Sequence, residues 1–148
     1  MSTAQKRAWF EIMLSLAGLM FSILSWYIFT LAGEKFYSPP WVYCIPLVNL
    51  PNVLCLIGFV LISAKWKTKH FDERELALSH KSQTFGFIGV FVYLVFMAMV
   101  VFAQNIIATM PIRLILLLIL SSFFFSTLVT SVSFLLMYQS KIAKHLNR

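Results

Sequence analysis

Three sets of polar residues interrupt an otherwise apolar sequence, and each suggests a different chemistry. The first is Pro46, Asn49, Pro51 and Asn52, all within one long hydrophobic stretch. Each proline removes a backbone donor and crowds the carbonyl four residues earlier, so the carbonyls of Val42 and Leu47 should lose their ordinary partners. The helix should therefore kink, or begin as a partly unwound segment. Lipid cannot satisfy freed carbonyls; a neighbouring helix, water or an amide side chain must. Asn49 and Asn52, three apart, share a helical face beside the break, and broken helices at membrane depth line ligand or ion sites in transporters. A structural kink with locally bonded asparagines is the simpler reading. The second set is Ser122, Ser126 and Thr130, spaced at i, i+4 and i+8, with Thr127 and Ser131 in an adjacent row. Small residues in such a row let helices approach closely, and a polar path is the sharper alternative.

The third set is Asp72-Glu73-Arg74-Glu75, followed by His80 and Lys81. Asp72 with Glu75 three residues on fits a capping box, and the acids lie near the positive end of the helix dipole that would begin there. A helix should start at Glu73 and run without interruption into the next apolar stretch. No acid here has a base four residues on, so Asp72, Glu73, Arg74, Glu75 and Lys81 form a candidate surface for contact with another molecule.

Chemistry of the enzymatic kind finds little support. There is no HExxH, no Gly-rich phosphate loop, no GxSxG and no Cys/His cluster at ligand spacing. His70, His80 and His145 all lie outside the apolar stretches. Cys44 and Cys55, on one expected helix, would sit about 16 Å apart, too far for a disulfide. The reading is therefore a non-enzyme without cofactor or metal. Glu11 is the one acid inside an apolar stretch; pairing with Arg7 or snorkelling to water accounts for it, and proton handling would need a second acid.

Four elements must position these groups. Residues 8–32, 41–64, 84–107 and 112–138 are each near or beyond the ~20 residues that cross a bilayer as a helix. With 60% hydrophobic and 11% charged residues, the 148-residue chain is too apolar for an ordinary soluble domain. One membrane domain, residues 1–148, takes up the whole sequence. The formal charge of +7 is not a nucleic-acid signature, because the positive residues flank the stretches. Of the 12 Lys and Arg, all but Lys35 and Arg113 precede the first stretch, lie in 65–83 or follow the fourth. The positive-inside rule then places both termini and segment 65–83 in the cytoplasm. The expected fold is all-α: an integral membrane four-helix antiparallel bundle, N-in and C-in, its third helix extended into the cytoplasm. Ser15, Gly18, Ser22 and Ser25 mark a packing face on the first helix, and the short link before Pro111 makes the third and fourth helices antiparallel neighbours.

Asp72-Glu73-Arg74, with Leu78 and then Lys81-Ser82, resembles the D-E-R-x-x-x-h-x-x-K-[A/S] box of a group of small, functionally uncharacterised prokaryotic membrane proteins. There the box follows the second span and opens the third; Ser82 stands where alanine is common. The resemblance covers about a dozen residues and the topology, and implies a prokaryotic cytoplasmic membrane without implying an activity. The leading expectation is a membrane protein acting through protein or lipid contacts of segment 65–83, with anionic lipid at the cytoplasmic face and self-association among its partners. A small transport or channel component using Asn49, Asn52, Ser122, Ser126 and Thr130 is the alternative. A membrane immunity-type protein is a third, weaker one.

Overall fold

The structure is a computed structural model that describes residues 2–32, 45–65, 72–103 and 112–146. Four helices make up these residues: α1 (Thr3–Ala32), α2 (Ile45–Lys65), α3 (Glu73–Ala103) and α4 (Ile112–Leu146), with no strand among them. All four are long and apolar enough to cross a membrane. The described residues are thus all helical, in four helices with the length and composition of a multi-pass membrane protein.

The helix starts follow from side-chain caps. At α3 the Glu73 N–H donates to Asp72 Oδ1 at 2.8 Å, and the Asp72 N–H reaches Glu75 Oε2 at a long 3.4 Å. Glu75 reaches back as the expected box requires, while Asp72 accepts from the adjacent N–H and not from that of Glu75, and α3 runs on from Glu73 through the apolar stretch. α1 begins five residues before the expected Ala8, because Ser2 and Gln5 cap it reciprocally. The Gln5 N–H donates to Ser2 Oγ at 3.2 Å and the Ser2 N–H to Gln5 Oε1 at 2.9 Å. The S-x-x-Q signature for that start stands in the sequence. α4 likewise continues past Tyr138 to Leu146. α2 remains helical through Pro51, and Pro46 falls in its first turn, where proline is tolerated. Val42 and Cys44 lie outside the described residues; Cys55 is buried and free.

Between helices already in lipid, apolar burial supplies little attraction, so close approach and hydrogen bonds must hold them together. Gly58 faces Leu14, Asn52 faces Ser22 and Val48 faces Ser25, so α1 and α2 are antiparallel. Gly86 meets Thr130, Gly89 meets Val129, and Tyr93 donates to Ser121 Oγ at 2.7 Å, so α3 and α4 are antiparallel neighbours as expected. Gly18 against Phe124 and Glu11 against Ser131 set α1 antiparallel to α4. The order across the bundle is α2, α1, α4, α3. α2 also reaches α4 through Phe59, whose ring lies 5.5 Å from Phe123 and 6.0 Å from Phe124. α1 and α3 both lean on α4 and barely on each other. They do converge at one end, where Ala4, Ala8, Ile12, Leu78, Phe134 and Leu135 form a buried cluster. The start of α1, the start of α3 and the last third of α4 therefore share one end of the bundle.

Candidate functional site

Beside that cluster lies a polar cleft of about 200 Å³. Three helices build it. α1 contributes Arg7 and Glu11, α3 contributes Ser79, Ser82 and Gln83, and α4 contributes Ser126, Thr127, Thr130 and Ser131. α1 and α3 each pack more on α4 than on each other, and all three line the cleft.

Glu11 is its electrostatic centre. Arg7 Nε donates to Glu11 Oε1 at 2.7 Å, one turn apart on α1, the pairing expected from the sequence. Glu11 Oε2 accepts from Ser131 Oγ at 2.7 Å, which ties α1 to α4. The Glu11 backbone carbonyl accepts from Ser15 Oγ, also at 2.7 Å. One cation and one anion thus face each other in a pocket whose other polar groups are uncharged. Three of the six hydroxyls around them are committed to protein carbonyls. Ser82 donates to the Ser79 carbonyl at 2.8 Å, Thr127 to the Phe123 carbonyl at 2.9 Å and Ser126 to the Gly86 carbonyl at 3.4 Å. Among the described residues no three His, Cys, Asp or Glu gather closely enough to hold a metal.

The residues singled out from the sequence divide among three places. Ser126 and Thr130 line the cleft, and Thr130 packs against Gly86 where a side chain would collide with it. Ser122 turns its hydroxyl to the Ile119 carbonyl of its own helix, at 2.7 Å. Asn52 is fully buried at the α1–α2 contact, its Oδ1 accepting from Ser22 Oγ at 3.2 Å. Ser25 Oγ donates to the Val48 carbonyl beside it, and Asn49 is half-buried. The contacts of Asn52 and those of Ser126 and Thr130 therefore belong to different helix pairs. The third place is the start of α3, where Asp72, Glu73, Arg74 and Lys81 are exposed while Glu75 is buried beneath its cap.

Asn52 Nδ2 has no partner among the described residues. Its amide gains one hydrogen bond and loses another, so its net contribution should be small. We expect Asn52→Leu, which keeps the branched outline of the side chain, to change unfolding stability by less than about 1 kcal/mol, near the ~0.6 average for such bonds between membrane helices. Thermal unfolding in detergent reads this directly; a loss several times larger would mean that Nδ2 is engaged.

The α3 wall of the cleft, Ser79, Ser82 and Gln83, escaped sequence reasoning, as did the Glu11–Ser131 link. A single acid inside an apolar stretch was the available signal. Its partner lies 120 residues away, and only the α1–α4 register brings the two together. Compared with protein families, with curated proteins and with solved structures, the chain matches none.

Proposed function

We propose that this is a non-enzymatic membrane protein that works by presenting the start of α3 to a protein partner at the cytoplasmic surface. One observation carries the reading: α3 is a single helix from Glu73 to Ala103, so its charged first turns are rigidly continuous with its apolar part. Leu78, 4% exposed within the Ala4, Ala8 and Phe134 cluster, braces those turns against α1 and α4. Asp72, Glu73, Arg74 and Lys81 point outward from this braced stem with both signs of charge, which suits a protein surface. Lys65, the last residue of α2, and Lys67 and Lys69 after it in the sequence suit anionic lipid, each contributing about 1 kcal/mol near a charged leaflet. Both termini and segment 65–83 face the cytoplasm in this reading, and the charge asymmetry supports it.

Because Asp72 and Glu75 cap the helix, Glu73, Arg74 and Lys81 are the residues to change. A photo-crosslinker at Ala77 in intact cells should trap a discrete protein adduct. Glu73→Lys, Arg74→Glu and Lys81→Glu together should abolish that adduct and leave the unfolding midpoint within a few degrees. An adduct that survives the reversal, or lipid adducts alone, would end the reading. Thiol labelling at Ala77 from outside intact cells would do so too.

A further inference from the structure

We propose that the cleft between α1, α3 and α4 holds the headgroup of an aminophospholipid, with a primary ammonium on Glu11 and the adjoining phosphate on Arg7. The argument begins with where the hydroxyl protons go. A carbonyl oxygen can only accept, so Ser82, Ser126 and Thr127 must each donate to the carbonyl they touch, and Ser131 donates to the Glu11 carboxylate. Each of these four oxygens then has only lone pairs left to offer. Together with the carboxylate they give the cleft five acceptor groups with no proton to offer, alongside the Gln83 amide and the Ser79 and Thr130 hydroxyls. A guest for those five groups brings several N–H donors on a positive centre. A primary ammonium has three, whereas a quaternary ammonium has none. The guest needs a negative group beside that ammonium, because the guanidinium of Arg7 shares the pocket.

Size and position select a lipid. About 200 Å³ is less than the ~300–1,000 Å³ of pockets for drug-sized ligands, and suits a headgroup whose chains remain outside. α1 and α3 both line the cleft, and no α2 residue is part of it. Large apolar side chains stand exposed on both flanking helices, Phe10 and Met13 on α1 and Phe85 and Ile88 on α3. Acyl chains leaving the cleft would lie against surfaces of that kind. The depth also fits, since the cleft borders the end where α1 and α3 begin.

The inference does not depend on the charged turn of α3, because Glu73, Arg74 and Lys81 are not among the cleft's residues. The full-length protein in mild detergent would be offered phosphatidylethanolamine, phosphatidylcholine and phosphatidylglycerol with identical chains, with retained lipid counted by native mass spectrometry. Phosphatidylethanolamine should be retained about tenfold over each of the others, the ratio that one charge-assisted hydrogen bond sustains. Glu11→Gln should bring its retention down to that of phosphatidylcholine. Ser82→Ala, a small change in a buried hydroxyl, should lower it about threefold and leave phosphatidylcholine untouched. Equal retention of all three lipids overturns the proposal, as does a preference for phosphatidylglycerol. Ethanolamine preference unaltered in both variants places the lipid elsewhere and overturns the site. Free phosphoethanolamine binding as tightly as the lipid overturns the choice of a membrane source.

Discussion

Gly18→Ala is expected to destabilise the protein by about 1–3 kcal/mol, and Gly18→Leu to separate α1 from α4. A Cβ at Gly18 would stand 2.7 Å from three carbons of the Phe124 ring. That ring cannot move aside. Phe124 is fully buried, with Phe59 at 6.0 Å and Phe123 at 5.8 Å between ring centroids. Gly58 provides the control, because its added Cβ would meet only the Leu14 methyl groups, at 3.1 and 3.2 Å, which can rotate away. Gly58→Ala should therefore cost clearly less than Gly18→Ala. Phe124→Leu in the Gly18→Ala background should recover part of the loss, since the two substitutions act on one contact. Thermal unfolding of the four variants in one detergent gives the ordering. Equal midpoints for Gly18→Ala and wild type would mean that α1 and α4 do not approach as described.

Glu11→Leu is expected to be similarly damaging, at about 1.5–3 kcal/mol, the range for hydrogen bonds to charged groups. The substitution removes both carboxylate contacts, the one to Arg7 on α1 and the one to Ser131 on α4. Glu11→Gln keeps the shape and one acceptor, so it should lose less. Ser131→Ala removes only the cross-helix bond and should cost about 0.6 kcal/mol. If Glu11→Leu unfolds at the wild-type temperature, the carboxylate is solvated at the membrane edge and holds no helices together. The ordering Leu, then Gln, then Ser131→Ala is the signature of a carboxylate that links α1 to α4.

Much of the architecture was legible because bilayer thickness and backbone satisfaction leave few choices for long apolar stretches. The start of α3 was readable to the residue, since Asp72 and Glu75 carry their capping chemistry within four positions. The start of α1 was equally local in Ser2 and Gln5, but the apolar stretch drew attention to its own edge at Ala8. The face of Ser15, Gly18, Ser22 and Ser25 was visible by spacing, and all four residues are buried. The division of that face between neighbours was not visible. Ser22 and Ser25 meet α2 whereas Gly18 meets Phe124 of α4. Helical periodicity says which residues share a side, and nothing about which helix arrives there.

The candidate site shows the same boundary more sharply. Ser126 and Thr130 were found by their repeat, and Asn52 by its proline neighbour, yet they belong to different helix pairs. The sequence alone determined four apolar helices each long enough to cross a bilayer, the cap that opens α3 and the gathering of positive charge at one end of each stretch. These are local quantities, set by hydropathy, rise per residue and backbone hydrogen bonding over a few turns. Tertiary structure alone decided that α1 and α3 would flank α4, leaving a gap lined by Arg7, Glu11, Ser82 and Thr130. Helix order and register depend on which small residues admit which large ones, Gly18 to Phe124 and Gly86 to Thr130, and that fit exists only between helices.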